Sequence, residues 1–292
     1  MIKLVACDLD GTLLDPLMNL TSFSVDVIKK CVAHGIIFLM ATGRDYYMVI
    51  EYKEQNDLHC DMILNNGSQY LSDDLKTNIY YPIDHTMLSQ VVNILQKYDY
   101  HISMHTTNGK YIFEDPDQYY QEHINMIIED RGFDILSKTN AAFFRKDGFL
   151  RATHSIHSIE EMFEQGVEAL KLDCKNRDSN KGKAAMEELK KIDHILLSSS
   201  YERYVEITSD RSHKGKLLEM VCKQYGISKE EVAVFGDGVN DLAMLSLFPN
   251  SYAPGNANEK VKAVVKEVIR PNSEDGVAYK LLEILEEREN GN

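Results

Sequence analysis

Two carboxylates close a greasy run: residues 4–14 read LVACDLDGTLL, with Asp8 and Asp10 two positions apart behind Leu4, Val5, Ala6 and Cys7. Like charges at that spacing, at the end of a buried strand, repel each other and resist desolvation. A cation, a cap or solvent must offset the cost. Three further groups have matching settings. Thr42-Gly43-Arg44 follows the apolar run 36–41, Asp237, Asn240 and Asp241 follow the run 232–235 within GDGVND, and Lys214 opens the stretch ahead of EEVAVFGDG. Hard carboxylate oxygens suit Mg²⁺, which takes one or two of them together with water and phosphate oxygens. Asp8 and Asp237 are the expected carboxylates. An aspartate can act as nucleophile through an aspartyl-phosphate, and an acid two residues on can protonate the leaving oxygen and then take a proton from water. Lys214, Thr42 and the backbone N–H groups after Asp8 would neutralise charge on the phosphate oxygens. The set predicts Mg²⁺-dependent phosphoryl transfer on a small phosphorylated molecule.

Such groups converge only if their strands run parallel, because ligands of an open parallel sheet sit beyond the carboxyl ends of the strands. The pattern supports this. An apolar strand at 2–7, a helix from about Thr21 to Gly35, an all-apolar strand at 36–42, a helix from Asp45 to about Gln55 and a strand-turn at 61–67 alternate with no polar period in the strands. That is the signature of a parallel sheet covered on both faces. From 84 to 209 the style changes to a helix near 85–98, a hairpin turning at Asn108-Gly109, a Lys- and Glu-rich helix near 182–191 and half-buried strands, which predicts an antiparallel α+β unit. Alternation resumes at 210 with helices at 214–225, 241–247, 258–265 and 276–287 and strands at 232–236 and 267–271. The expected architecture is a Rossmann-like α/β core, 1–83 and 210–292, interrupted by an inserted domain at 84–209.

Composition narrows the partners. Asp and Glu outnumber Lys and Arg 46 to 32, a net charge of −14, which disfavours nucleic acid and anionic membrane because both require clustered basic residues. Anionic substrates must therefore find a local positive site. No apolar run approaches membrane-spanning length and no secretory leader is legible, so a cytoplasmic location is expected. The five scattered cysteines, without CxxC spacing, read as reduced thiols.

DLDGTLL, TGR, HKG and GDGVND, in this order, resemble the haloacid dehalogenase superfamily. With GNANEKVKAVVKEVI and SEDGVA near the end, the chain resembles its Cof-type, type IIB sugar-phosphatase branch over nearly the whole length, though only loosely across 84–209, where that family carries its cap. The resemblance implies Asp8 as nucleophile and Asp10 as acid/base, with Asp10 also giving a backbone carbonyl to Mg²⁺. It implies phosphate contacts from the Leu9 backbone N–H, Thr42, Gly43, Lys214 and Asn240, metal ligation by Asp237, and Asp241 orienting water on the metal. Arg44 and the cap would govern substrate choice. Pro254, in SYAPGNA, stands where relatives commonly have Met. A phosphomutase or phosphotransferase, or a phospho-ligand sensor without turnover, would use the same residues.

Plainer readings compete elsewhere. Asp10 could cap a turn and Asp8 could be solvated. His101 and His105 share a strand face and are expected in solvent or in the hairpin, and His154 and His157 lack further ligands at metal spacing. Paired tyrosines at 80–81 and 119–120 read as packing, and NKGKAA at 180–185, lacking Walker spacing, as a helix start.

Overall fold

Leu4 to Cys7 carry no polar side chain, and each is fully buried, so the segment must lie inside a sheet with both faces covered. A computed structural model describes residues 1–132, 135–139, 141–201 and 204–290, with the side chains of 130, 131 and 199–201 outside that description. In chain order the strands are β1 (Leu4–Cys7), β2 (Ile37–Ala41), β3 (Asp61–Leu64), β4 (Gln69–Leu71), β5 (Asn78–Tyr80), β6 (His101–Thr106), β7 (Gly109–Ile112), β8 (Thr153–Ser155), β9 (Ala169–Lys175), β10 (Ile195–Tyr201), β11 (Tyr204–Ser209), β12 (Val232–Phe235), β13 (Asn250–Pro254) and β14 (Glu267–Ile269).

The chain divides into two compact units, one of 1–79, 136–141 and 213–292 and one of 80–135 and 142–212. The first holds an α/β sheet of order β14-β13-β12-β1-β2-β3-β4-β5. Strands β14 through β3 are parallel, and β4 turns back antiparallel on β3. Alternate residues point to opposite faces. Val5, Cys7, Phe38, Met40, Ala233 and Phe235 join one core with the helices Ser22–Ala33 and Gly276–Asn290. Helices Lys214–Tyr225 and Leu242–Leu247 pack together, against β3 and against β12 and β13 respectively. Short helices begin where acceptors cap them: Thr21 Oγ1 takes Ser24 N–H at 3.1 Å and Asp45 Oδ1 takes Met48 N–H at 2.9 Å.

Between β3 and the second unit the sequence reading missed β4 and β5. Each is only three residues long, too short for a period of two to be visible. Asp61 ties this flap down, accepting from Tyr70 Oη at 2.8 Å, Tyr225 Oη at 2.7 Å and Asp73 N–H at 2.9 Å.

The second unit is a six-stranded sheet of order β10-β11-β9-β6-β7-β8, antiparallel except for the β7–β8 pair. Helices His85–Lys97 and Ser179–Leu189 bury one face through Leu88, Val91, Leu95, Ala185 and Leu189 against Leu172 and Cys174. Chain entry comes earlier than residue 84, because Ile83 joins this core and donates to Ala169 O at 2.8 Å. The hairpin loop is Thr107-Asn108, with Gly109 already paired to Thr106 at φ +106°. His105 lies in the interior, 3% exposed and 2.8 Å from Asp173, and His101 bonds Glu114 at 2.9 Å, so neither histidine is simply solvated. Residues 136–141 group with the first unit, and Thr139 Oγ1 donates to Asn19 Oδ1 at 3.2 Å.

Candidate active site

Parallel order places the carboxyl ends of β1, β2, β3 and β12 on one edge, and the motif residues follow from there. Asp8 leaves β1 and is buried; its backbone N–H still bonds Phe235 O at 3.0 Å. Lys214, first residue of its helix and equally buried, reaches across with Nζ 2.7 Å from Asp8 Oδ1 and 2.7 Å from Asp241 Oδ1. Asp241 is fully buried, and its other oxygen accepts from the backbone N–H groups of Asp237 at 3.2 Å and Gly238 at 3.1 Å. Asp237 takes a hydrogen bond from Thr12 Oγ1 at 3.1 Å. A Cβ on Gly11, whose φ is +73°, would stand 2.3 Å from Asp237 Oδ2, so only glycine lets the loop after β1 come this close.

Asp8, Asp237 and Asp241 each offer a carboxylate oxygen, all within 4.8 Å of one another. One lysine does not neutralise three acids. Burial, then the charge of Asp241, push the Asp8 carboxyl well above its ordinary range, with Lys214 only partly opposing them. Burial and Asp241 likewise push Asp237 up to about 6. Hard oxygens, an excess of negative charge and a glycine-cleared approach fit a divalent cation of the Mg²⁺ type.

Asp10 goes elsewhere. Its carboxylate is half exposed and is gripped by a two-pronged fork, Arg44 Nε to Oδ2 at 2.8 Å and Arg44 Nη2 to Oδ1 at 2.7 Å. Arg44 is 7% exposed and also donates to Tyr52 Oη at 3.1 Å, while Tyr52 donates to Met18 O at 2.8 Å. Arg44, expected to help choose substrate, is buried and bonded to Asp10. Tyr52, at helical spacing from Arg44 but eight residues on, carried no signal that sequence reasoning used. Leu9 is buried at the head of the turn, Thr42 is fully buried with its hydroxyl accepting from Arg44 N–H at 3.2 Å, and Gly43 and Asn240 stand beside the turn after β3. Thr12 and Gly11 lay inside the motif, but their link to Asp237 is a tertiary fact.

Comparisons with known proteins bear on the family and the fold. The sequence profile of the haloacid dehalogenase-like hydrolases matches residues 5–281. Among curated relatives, "Phosphatase YwpJ" of Bacillus subtilis is 24% identical over 289 residues, covering 97% of this chain and 100% of its own length. "5-amino-6-(5-phospho-D-ribitylamino)uracil phosphatase YwtE" of the same organism is 28% identical over 292 residues, covering 97% and 98%. A solved haloacid dehalogenase-like hydrolase from B. subtilis superposes with a TM-score of 0.81 at 23% identity, covering 96% of this chain and 99% of that one, which speaks to the fold. No helix among the described residues is long and apolar enough to cross a membrane. On the matched length and the shared fold, the chain belongs to the haloacid dehalogenase-like hydrolases, in their Cof-type branch.

Proposed function

We propose that the chain is a Mg²⁺-dependent phosphatase that hydrolyses small phosphate monoesters, sugar and polyol phosphates foremost, through an aspartyl-phosphate on Asp8. Phosphatase activity is what the family and its curated relatives support, and a relative named for a phospho-ribityl compound supports a polyhydroxylated leaving group. The observation that carries the reading is the convergence of Asp8, Asp237, Asp241 and Lys214 on one strand edge.

Asp8 attacks phosphorus and the bond from phosphorus to the ester oxygen breaks, with Asp10 delivering a proton to that oxygen. Water then attacks the phosphoryl group, Asp10 takes its proton, and phosphate departs with Asp8 restored. Asp8, Asp237 and Asp241 would hold the cation, which supplies charge neutralisation for the phosphoryl oxygens when bound. Lys214 fixes one Asp8 oxygen and stays cationic between two carboxylates, its ammonium held well above its ordinary pKa by Asp241 and Asp8 against the opposing effect of burial. Arg44 holds Asp10 as a carboxylate, the form that takes the proton from water, and Asp10 must leave this fork and be protonated to serve the ester oxygen. Thr42, Gly43, the Leu9 N–H and Asn240 serve the remaining phosphate oxygens.

A panel of phosphorylated metabolites with Mg²⁺, read by phosphate release, tests the activity, and borohydride trapping followed by peptide mapping tests the acyl-phosphate at Asp8. Absence of release from every compound would favour a sensor. Transfer to an added sugar in preference to water would make the protein a phosphotransferase.

A further inference from the structure

The chemistry above leaves the turn after β3 without a task, although it is the most contorted backbone near the site. Asn65, Asn66 and Gly67 all have positive φ, +52°, +57° and +93°. Side chains other than glycine avoid that region, and asparagine is among the few that tolerate it. The Asn65 side chain is buried at 1% exposure, and among the described residues neither its Oδ1 nor its Nδ2 has a hydrogen-bond partner. A buried amide without partners is destabilising, and asparagine is retained where the backbone needs this left-handed shape.

That shape brings the turn against three separate motif segments. Asn65 N–H donates to Arg44 O at 2.9 Å and Asn66 N–H to Thr42 O at 3.1 Å. A Cβ on Gly67 would stand 2.4 Å from the backbone N of Lys214. The side chain of Asn66 faces two ways: its Oδ1 accepts from Asn240 Nδ2 at 3.3 Å and lies so close to Gly43 that a Cβ there would come within 2.8 Å of it. One amide oxygen thus sits between two segments to which the phosphatase reading gives phosphate contacts.

We propose that Asn66 is a positioning residue, whose side-chain oxygen holds the Asn240 amide beside the Gly43 loop so that both address one phosphate. The inference rests on the phosphate role of Gly43 and Asn240 above. An amide nitrogen has two donors. With one committed to Asn66, the other is aimed before the anion arrives, and the ordering cost is met in folding rather than in binding.

Calorimetric titration of inorganic phosphate in saturating Mg²⁺ tests this. Asn66→Gly keeps the left-handed backbone and removes only the side chain; it should weaken phosphate about 5- to 10-fold with an unchanged melting temperature. Asn240→Ala should weaken phosphate at least as much, and the double variant should match Asn240→Ala, since the two act as one unit. Multiplying effects, or full affinity in Asn66→Gly beside a weakened Asn240→Ala, overturn the proposal while leaving the phosphate site standing. Full affinity in Asn240→Ala overturns the phosphate role of Asn240 and the proposal with it. Should Asn66→Gly unfold, Asn66→Asp keeps both the backbone tolerance and an acceptor. Near wild-type affinity at high salt then supports the proposal, and affinity as weak as that of Asn240→Ala overturns it.

Discussion

Each unit buries a lysine between two carboxylates, yet the two arrangements have opposite electrostatic outcomes. In the inserted unit Lys171 lies 2.9 Å from Asp173 and 2.7 Å from Glu206, and His105 approaches Asp173 at 2.8 Å. The cross-strand pairs His105–Lys171 and Glu206–Asp173 set these side chains on one face. Burial raises the Asp173 carboxyl, but Lys171 and His105 outweigh it and leave it well below the ordinary range. In the core Lys214 makes two such bonds, both of 2.7 Å, but among the described residues the third acid, Asp237, has a hydroxyl for a partner and no paired cation. Asp8 and Asp237 are raised there, not lowered. The insert's cluster is settled by its own charges. The core's cluster is left short of positive charge, and that shortage is what separates a metal-ready site from a structural ion network.

Substitutions can break the contrast. The largest expected effect is Asp8→Asn, which should cut turnover of an aryl phosphate by on the order of 10⁴-fold or more. Its metal-free melting temperature should hold or rise, because a repelled carboxylate is removed; wild-type-like turnover would refute the nucleophile assignment. Next is Lys171→Met. Stranding Asp173 and Glu206 should cost about 3–5 kcal/mol in a denaturant titration, as when one partner of a buried pair is removed. In the same titration without metal, Asp237→Asn should cost nothing, and similar losses for the two variants would erase the distinction drawn here.

Acidity sharpens the contrast. A carboxyl raised to about 6 binds its proton more tightly when folded than unfolded, so the Asp237 contribution favours the fold at low pH and is lost as pH rises from about 4 through 6. Mg²⁺ competes with that proton. The rise in melting temperature on adding Mg²⁺ should therefore be larger at pH 7 than at pH 5, and a pH-independent rise would count against Asp237 as a ligand. The smallest effect is expected in Asp10→Asn, assayed as a ratio: kcat should fall further for a sugar phosphate than for an aryl phosphate, whose leaving group needs less protonation. Equal losses would argue against an acid role.

Much of the core was readable because its strands are uninterrupted apolar runs that end in abrupt polar motifs. Asp8, Asp237 and Lys214 stood out for that reason: each lies in a short polar motif at the end of, or just ahead of, such a run. Arg44 was singled out by its place after a strand, but nothing local reveals that its guanidinium grips Asp10. Asn66 read as an ordinary turn residue because its partners, Gly43 and Asn240, are 23 and 174 positions away. The helix Pro116–Arg131 escaped because its buried face, Tyr119, His123, Ile124 and Ile127, mixes rings and a polar imidazole with aliphatic side chains, which blurs the apolar stripe in the sequence. Its start was nonetheless marked, by Asp115 as cap and Pro116 in the first turn.

The strand order has a consequence for how the protein comes into being. β1 is flanked by β2, its near neighbour along the chain, and by β12, more than 200 residues later, with the insert translated in between. At typical synthesis rates a ribosome needs on the order of tens of seconds to make that stretch. During that interval the nascent Asp8 has neither Lys214 nor Asp237 for company, and β1 has an open hydrogen-bonding side. The acidic cluster and its lysine can therefore assemble only late, once β12 docks beside β1.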